Sequence, residues 1–170
     1  MPTRTCHKCA ERSVHPRAIT TNRANMDIDA TLADRMTGGH FLSTATEAGR
    51  AHSRAAIALA HADTGAVVAG QVEIAGDSAA RKRGLLGRDG LPPGAALVIA
   101  PCSAVHTFGM RFAIDVIFAD RDGRVLKIAA NVRPRRLAVA WGAFAAIEMA
   151  AGEAGRLGVQ VGGVLSARPQ

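Results

Sequence analysis

The chain has 170 residues, 48% of them hydrophobic and 21% charged, with a formal net charge of +7. That length suffices for one domain with a substantial core, and the composition excludes a wholly disordered chain. No apolar run reaches the roughly 18–20 residues of a spanning helix, and the first thirty residues hold no secretory h-region, so the cytoplasm is the expected compartment.

Eighteen arginines and three lysines are spread along the chain and cluster only in "RKR" (81–83) and "RPRR" (133–136). With no tyrosine and 4% aromatic residues, few platforms exist for stacking bases. The positive charge therefore reads as solvated surface, and nucleic acid is not an expected partner.

Cys6 and Cys9 form a lone CxxC near the start. They are weak metal candidates, because a zinc site takes four ligands and the following histidines show no ligand spacing; a thiol pair without metal is the plainer reading. Residues 1–65 lack a sustained hydrophobic period and read as an extension, largely disordered or partly helical within Thr44–Ala62. Residues 66–170 read as one β domain. "AVVAGQVEIAG" is a strand, Asp77 caps a short helix over "SAARKRGLL", and "GRDGLPPG" is a loop. "AALVIA" is a short buried strand ended by Pro101. "AIDVIFA" and "RVLKIAANV" form a hairpin across "DRDG", with Gly123 supplying the positive φ of the turn. "AVAWGAFAAIEMAAG" fits strand or helix by period alone, and "GEAGRLGVQVGGVL" is a helical turn followed by a last strand. Short strands between turns predict a mainly β sandwich or barrel with one or two small helices.

The segment "CSAVHTFGMRFAIDVIF" holds the chemistry-bearing residues. Cys102, His106 and Met110 are soft ligands four residues apart. On an extended strand that spacing is roughly 13 Å, too far for one ion. Cys102 as a nucleophile needs a base or a cation such as Arg81, Arg83 or Arg111; a small, inert, half-buried thiol is the simpler reading. His106 is a candidate acid/base, or else a histidine whose ring nitrogens meet backbone partners. Asp115 lies in a strand that reads as buried, so it requires a cation or backbone donors; pairing with an arginine of "RKR" is the expected solution. Glu148 reads as an exposed position on an otherwise apolar strand, and Trp141 as a core residue. GxSxG, P-loop, HExxH and strand-helix GxGxxG patterns are absent, and no cofactor is expected.

Three pieces, "RKRGLLGRDGLPPGAALV", "HTFGMRFAIDVIFADRDGRV" and "IEMAAGEAGRLGVQVGGVL", resemble the DUF192 (UPF0127) family in order and spacing over Arg81–Leu165. The resemblance implies a compact β-sandwich-like domain of roughly a hundred residues and brings no established activity. The chain departs from the family at His106–Met110, where many members have Trp-Met-Lys-Asn-Thr, at Ala113, where they have proline, and at Gly162–Gly163, where they have Gly-Asp. Members often carry a signal peptide. The expected function is a non-catalytic module that binds a small molecule or a protein, through Arg81, Arg83, His106, Met110 and Asp115. The alternatives are an enzyme using His106 with Cys102 or Asp115, and a metal-binding protein.

Overall fold

A computed structural model describes Leu42, residues 57–75 and residues 77–170. Cys6 and Cys9 lie outside the described residues. In chain order the strands are Ile57–His61 (β1), Val67–Ala69 (β2), Gln71–Ala75 (β3), Ala95–Ile99 (β4), Ala104–His106 (β5), Ile114–Ala119 (β6), Val125–Val132 (β7), Leu137–Val139 (β8), Ala145–Ala150 (β9) and Leu165–Pro169 (β10). Among the described residues two short helices, Ser78–Arg83 (α1) and Glu153–Arg156 (α2), complete a mainly β fold.

A strand alternates its side chains between two faces, so one enclosed on both sides must be apolar nearly throughout. β4, β6 and β9 meet that condition and form the middle of a five-stranded sheet in the order β3-β4-β9-β6-β7. One face packs against the three-stranded sheet β10-β1-β2, with Leu59, Val68, Val98, Ile117, Ile147 and Leu165 between the layers. The other face is covered by α1, the loop after it and the two-stranded ribbon β5-β8, over Leu85, Leu97, Ile99, Val116 and Phe118. Each large apolar side chain fully buried in these layers is stabilising by roughly 1.5–3 kcal/mol relative to exposure.

The expected hairpin is present: β6 and β7 pair antiparallel, Gly123 has φ +80°, and Asp120 Oδ1 accepts from the amides of Asp122 and Arg124, each at 2.9 Å. Other expectations need correction. "AVVAGQVEIAG" is two strands, because the chain passes at Gly70 from the three-stranded sheet into the five-stranded one. β3 and β4 run parallel, with the expected short helix, α1, inside their crossover; the strand direction is what the sequence pattern left open. β1 lies within the stretch read as an extension; it pairs along its whole length with β10, a partner more than a hundred residues away that no local pattern reveals. Trp141 is 93% exposed in the turn after β8, where Ala138 of the strand and Ala140 just beyond it take the buried positions.

Asp115 is buried, and its partners are backbone amides in place of the expected arginine. Oδ1 accepts from Asn131 N at 2.8 Å, and Oδ2 from Gly152 N and Ala154 N, each at 3.0 Å. The carboxylate thus ties β6 to the end of β7 and to the start of α2, whose first amides have no partner within the helix. Asp115→Ala, which strands three donors, is expected to lower unfolding free energy by about 3–5 kcal/mol, and Asp115→Asn by less, in urea denaturation. Unchanged midpoints would show that these bonds do not hold the layers together.

Candidate functional site

The sheet face beneath α1 is not filled completely. A cavity of about 360 Å³ remains between α1, the β4–β5 connection and β9, a volume in the range of small-molecule sites. One wall is α1 with the turn after it. Asp77 caps the helix by accepting from Ala80 N at 2.7 Å, and the helix ends at Gly84 after Arg81, Lys82 and Arg83, all three of which border the cavity. No residue of α1 is buried, so its polar side chains are left for the cavity rim and solvent while Leu85 and Leu86 reach inward from the turn. Arg81 also donates to Ser78 Oγ at 3.1 Å.

The opposite wall is the segment that carries Cys102, His106 and Met110, and all three border the cavity. The segment is not one extended run: β5 ends at His106, and a turn through Phe108 and Gly109 brings the chain back to Met110. Gly109 has φ +83°, and a β-carbon there would lie 3.2 Å from Leu86 Cδ2, so the turn closes tightly on the first wall. Thr107, fully buried, anchors it by donating from Oγ1 to Arg133 O at 2.7 Å and accepting from Arg136 N at 2.9 Å. His106 is exposed at the rim, its ring tilted against Phe108 at 5.8 Å.

Glu148 forms part of the floor. It is 3% exposed, it borders the cavity, and its Oε2 has no hydrogen-bond partner. The register explains its direction. Leu97, Glu148 and Val116 pair in one row across β4, β9 and β6, and therefore face the cavity side, whereas the next row, Ala96, Met149 and Asp115, faces the other sheet. Two buried carboxylates thus lie in adjacent rows and on opposite faces. Asp115 is not in the cavity and cannot work with His106; Glu148, read from sequence as exposed, is in it. Strict alternation was not available as a signal, because β9 is apolar at every other position.

Burial pushes the Glu148 carboxyl up to about 7, against a weaker opposing pull from Arg88. Arg88 is engaged elsewhere: it forks Glu73 through Nη1 at 2.9 Å and Nη2 at 2.7 Å, which holds the Glu73 carboxyl below its usual range. Cys102 Sγ donates to Ala104 O at 3.2 Å, and burial pushes its thiol up, the opposite of an activated nucleophile. Among the described residues no group of three His, Cys, Asp or Glu side chains is placed to hold a metal ion. The cavity therefore offers cations at its rim, an apolar wall and one protonatable carboxyl at its floor.

The sequence model of the DUF192 family, described as an uncharacterized ACR, matches residues 59–167. No curated protein matches the chain. A crystal structure of a protein of unknown function from Novosphingobium aromaticivorans DSM 12444 is similar, at 26% identity and a TM-score of 0.57, over 65% of this chain and 82% of that one. A proposed transcription regulator from Sinorhizobium meliloti 1021 shares the fold at 23% identity and a TM-score of 0.55, over 65% of this chain and 91% of that one.

The raised carboxyl has a consequence for stability. In the unfolded chain Glu148 returns to its ordinary 4.5, so between 4.5 and about 7 the native state binds more protons than the unfolded one. Stability therefore falls as pH rises through that window and levels off above it. Glu148→Gln removes this loss: relative to the parent it should gain about 2–3 kcal/mol between pH 5 and pH 8, measured by urea unfolding at both values. A difference that does not change with pH would show that the carboxyl titrates normally.

Proposed function

Since the chain belongs to the DUF192 family, whose description names no activity, we propose its function from the cavity itself: it is a binding module for a small molecule with an apolar body and an anionic group. The observation that carries this reading is the succession of Arg81, Lys82 and Arg83 along one edge of an otherwise largely apolar cavity. A guanidinium pairs with carboxylate, sulfonate or phosphate oxygens in a forked geometry, and an ammonium meets them as a point charge. Below this rim, Leu85, Leu86, Ile99, Val105 and Met110 supply the apolar surface that rewards burial of a hydrocarbon portion.

A binding role is supported over catalysis by the state of the reactive groups. The Cys102 thiol is pushed up and bonded to a carbonyl, and Asp115 is consumed by three amides on the far side of the sheet. His106, at the rim, is a contact for the ligand in this reading.

Isothermal titration at pH 6 with hexanesulfonate and with 1-hexanol tests the proposal, since the two differ only in the head group. Saturable one-to-one binding of the sulfonate is expected, with the alcohol bound much more weakly. Replacing Lys82 and Arg83 together by glutamine should weaken the sulfonate by about tenfold or more and leave the alcohol unchanged. Both side chains lie on an exposed face, so unfolding midpoints should not move. Equal affinities for the two probes, or a sulfonate affinity indifferent to the double substitution, would defeat the anion reading.

A further inference from the structure

The floor of the cavity contains a group that ordinary folding would have satisfied. Glu148 is on β9, which has a strand on each side, so the backbone amides around it are spent in the two ladders. Its neighbours in the row, Leu97 and Val116, bring no polar atom. Oε2 is left bare, at the bottom of a cavity whose rim is cationic.

We propose that anion binding in this cavity is coupled to uptake of one proton by Glu148, whose carboxylic acid then donates a hydrogen bond into the site. The proposal rests on the anion-binding reading above. A second negative charge brought into a confined, weakly solvated space repels an ionised carboxylate strongly. The same carboxyl, once protonated, becomes a donor and forms a short O–H···O⁻ bond with an oxygen of the ligand. The step is a proton transfer from solvent to the Glu148 carboxyl; no other bond breaks.

The groups facing Glu148 decide whether another residue could do this. α1 presents Arg81, Lys82 and Arg83, which are cations in either state of the carboxyl. Arg88, in the loop after α1, attracts the carboxylate, but both of its Nη atoms are held by Glu73 of β3. The segment leading through β5 brings Cys102 and His106. β4 and β6 present Leu97 and Val116. Burial holds the carboxyl near 7, so both of its forms are populated at neutral pH and the coupling operates there.

Hexanesulfonate is a suitable probe because its own charge does not change between pH 6 and pH 8. Its affinity for the parent protein should fall about tenfold over that interval, and at pH 8 binding should take up close to one proton, measured by calorimetry in buffers of different ionisation heat. Glu148→Gln, which keeps a donor at all pH values, should bind at pH 8 about as tightly as the parent does at pH 6. His106→Gln should retain the pH dependence whatever its absolute affinity. Parent binding that is present and equal at both pH values would overturn the coupling alone, as would a dependence that persists in Glu148→Gln or vanishes in His106→Gln. Absence of binding by the parent and by Glu148→Gln at both values would overturn the anion reading, and the coupling with it.

Discussion

The backbone ladder around β9 is the constraint on which the rest of the structure depends. β9 lies in the middle of the five-stranded sheet, with β4 on one side and β6 on the other, and both of its faces are buried. A strand in that position has no spare amides, and only its side chains distinguish one face from the other. Ile147 and Met149 go to the layer shared with β1, β2 and β10, while Ala146 and Glu148 go to the layer beneath α1. The register of one strand thus determines which layer is dry core and which holds a carboxyl.

Asp115 and Glu148 show how far surroundings outweigh residue type. Both are buried carboxylates, and they are separated by a single step of the ladder. Asp115 lies near the start of β6, within reach of amides at the end of β7 and the start of α2, and three of them converge on it. Its charge is distributed over those donors, so it serves as a fastening between elements. Glu148 lies in mid-sheet, where every neighbouring amide is engaged, so desolvation dominates and the group holds its proton to near neutrality. A buried polar atom left without a partner is uncommon in a stable fold and is costly, which is why it points to use when it borders a cavity.

The two walls are fastened differently. The turn from His106 to Met110 is fastened by Thr107 to the chain at Arg133 and Arg136 and is pressed onto Leu86 at Gly109. α1 is six residues long, has no buried side chain, and is held at its start by the Asp77 cap. A short capped helix carrying three consecutive cations above the sheet can adjust its side chains to an anion without disturbing the strands beneath. The long, charged side chains also cover apolar surface with their stems, so the same residues shield the floor and recognise charge.

Much of the architecture is local and could be read directly from the chain. The Asp77 cap, the β6–β7 hairpin with Gly123, the all-apolar β4 and the helical turn at α2 each depend on residues near one another in sequence, as do the two segments that become the cavity walls, whereas the last strand, expected within "GVQVGGVL", forms at Leu165–Pro169, where it pairs with β1. Three matters depended on pairings over long distances. β1 becomes a strand only because β10 returns to it, the "AVVAGQVEIAG" run divides because its halves enter different sheets, and Trp141 is left outside because it falls in the turn beyond β8, whose place is set by pairing with β5. The roles of Asp115 and Glu148 were decided in the same way. Sequence shows that each carboxylate interrupts an apolar run, but the face it takes follows from strand register, and the donors it meets follow from where each strand ends, both of which exist only once the sheet has assembled.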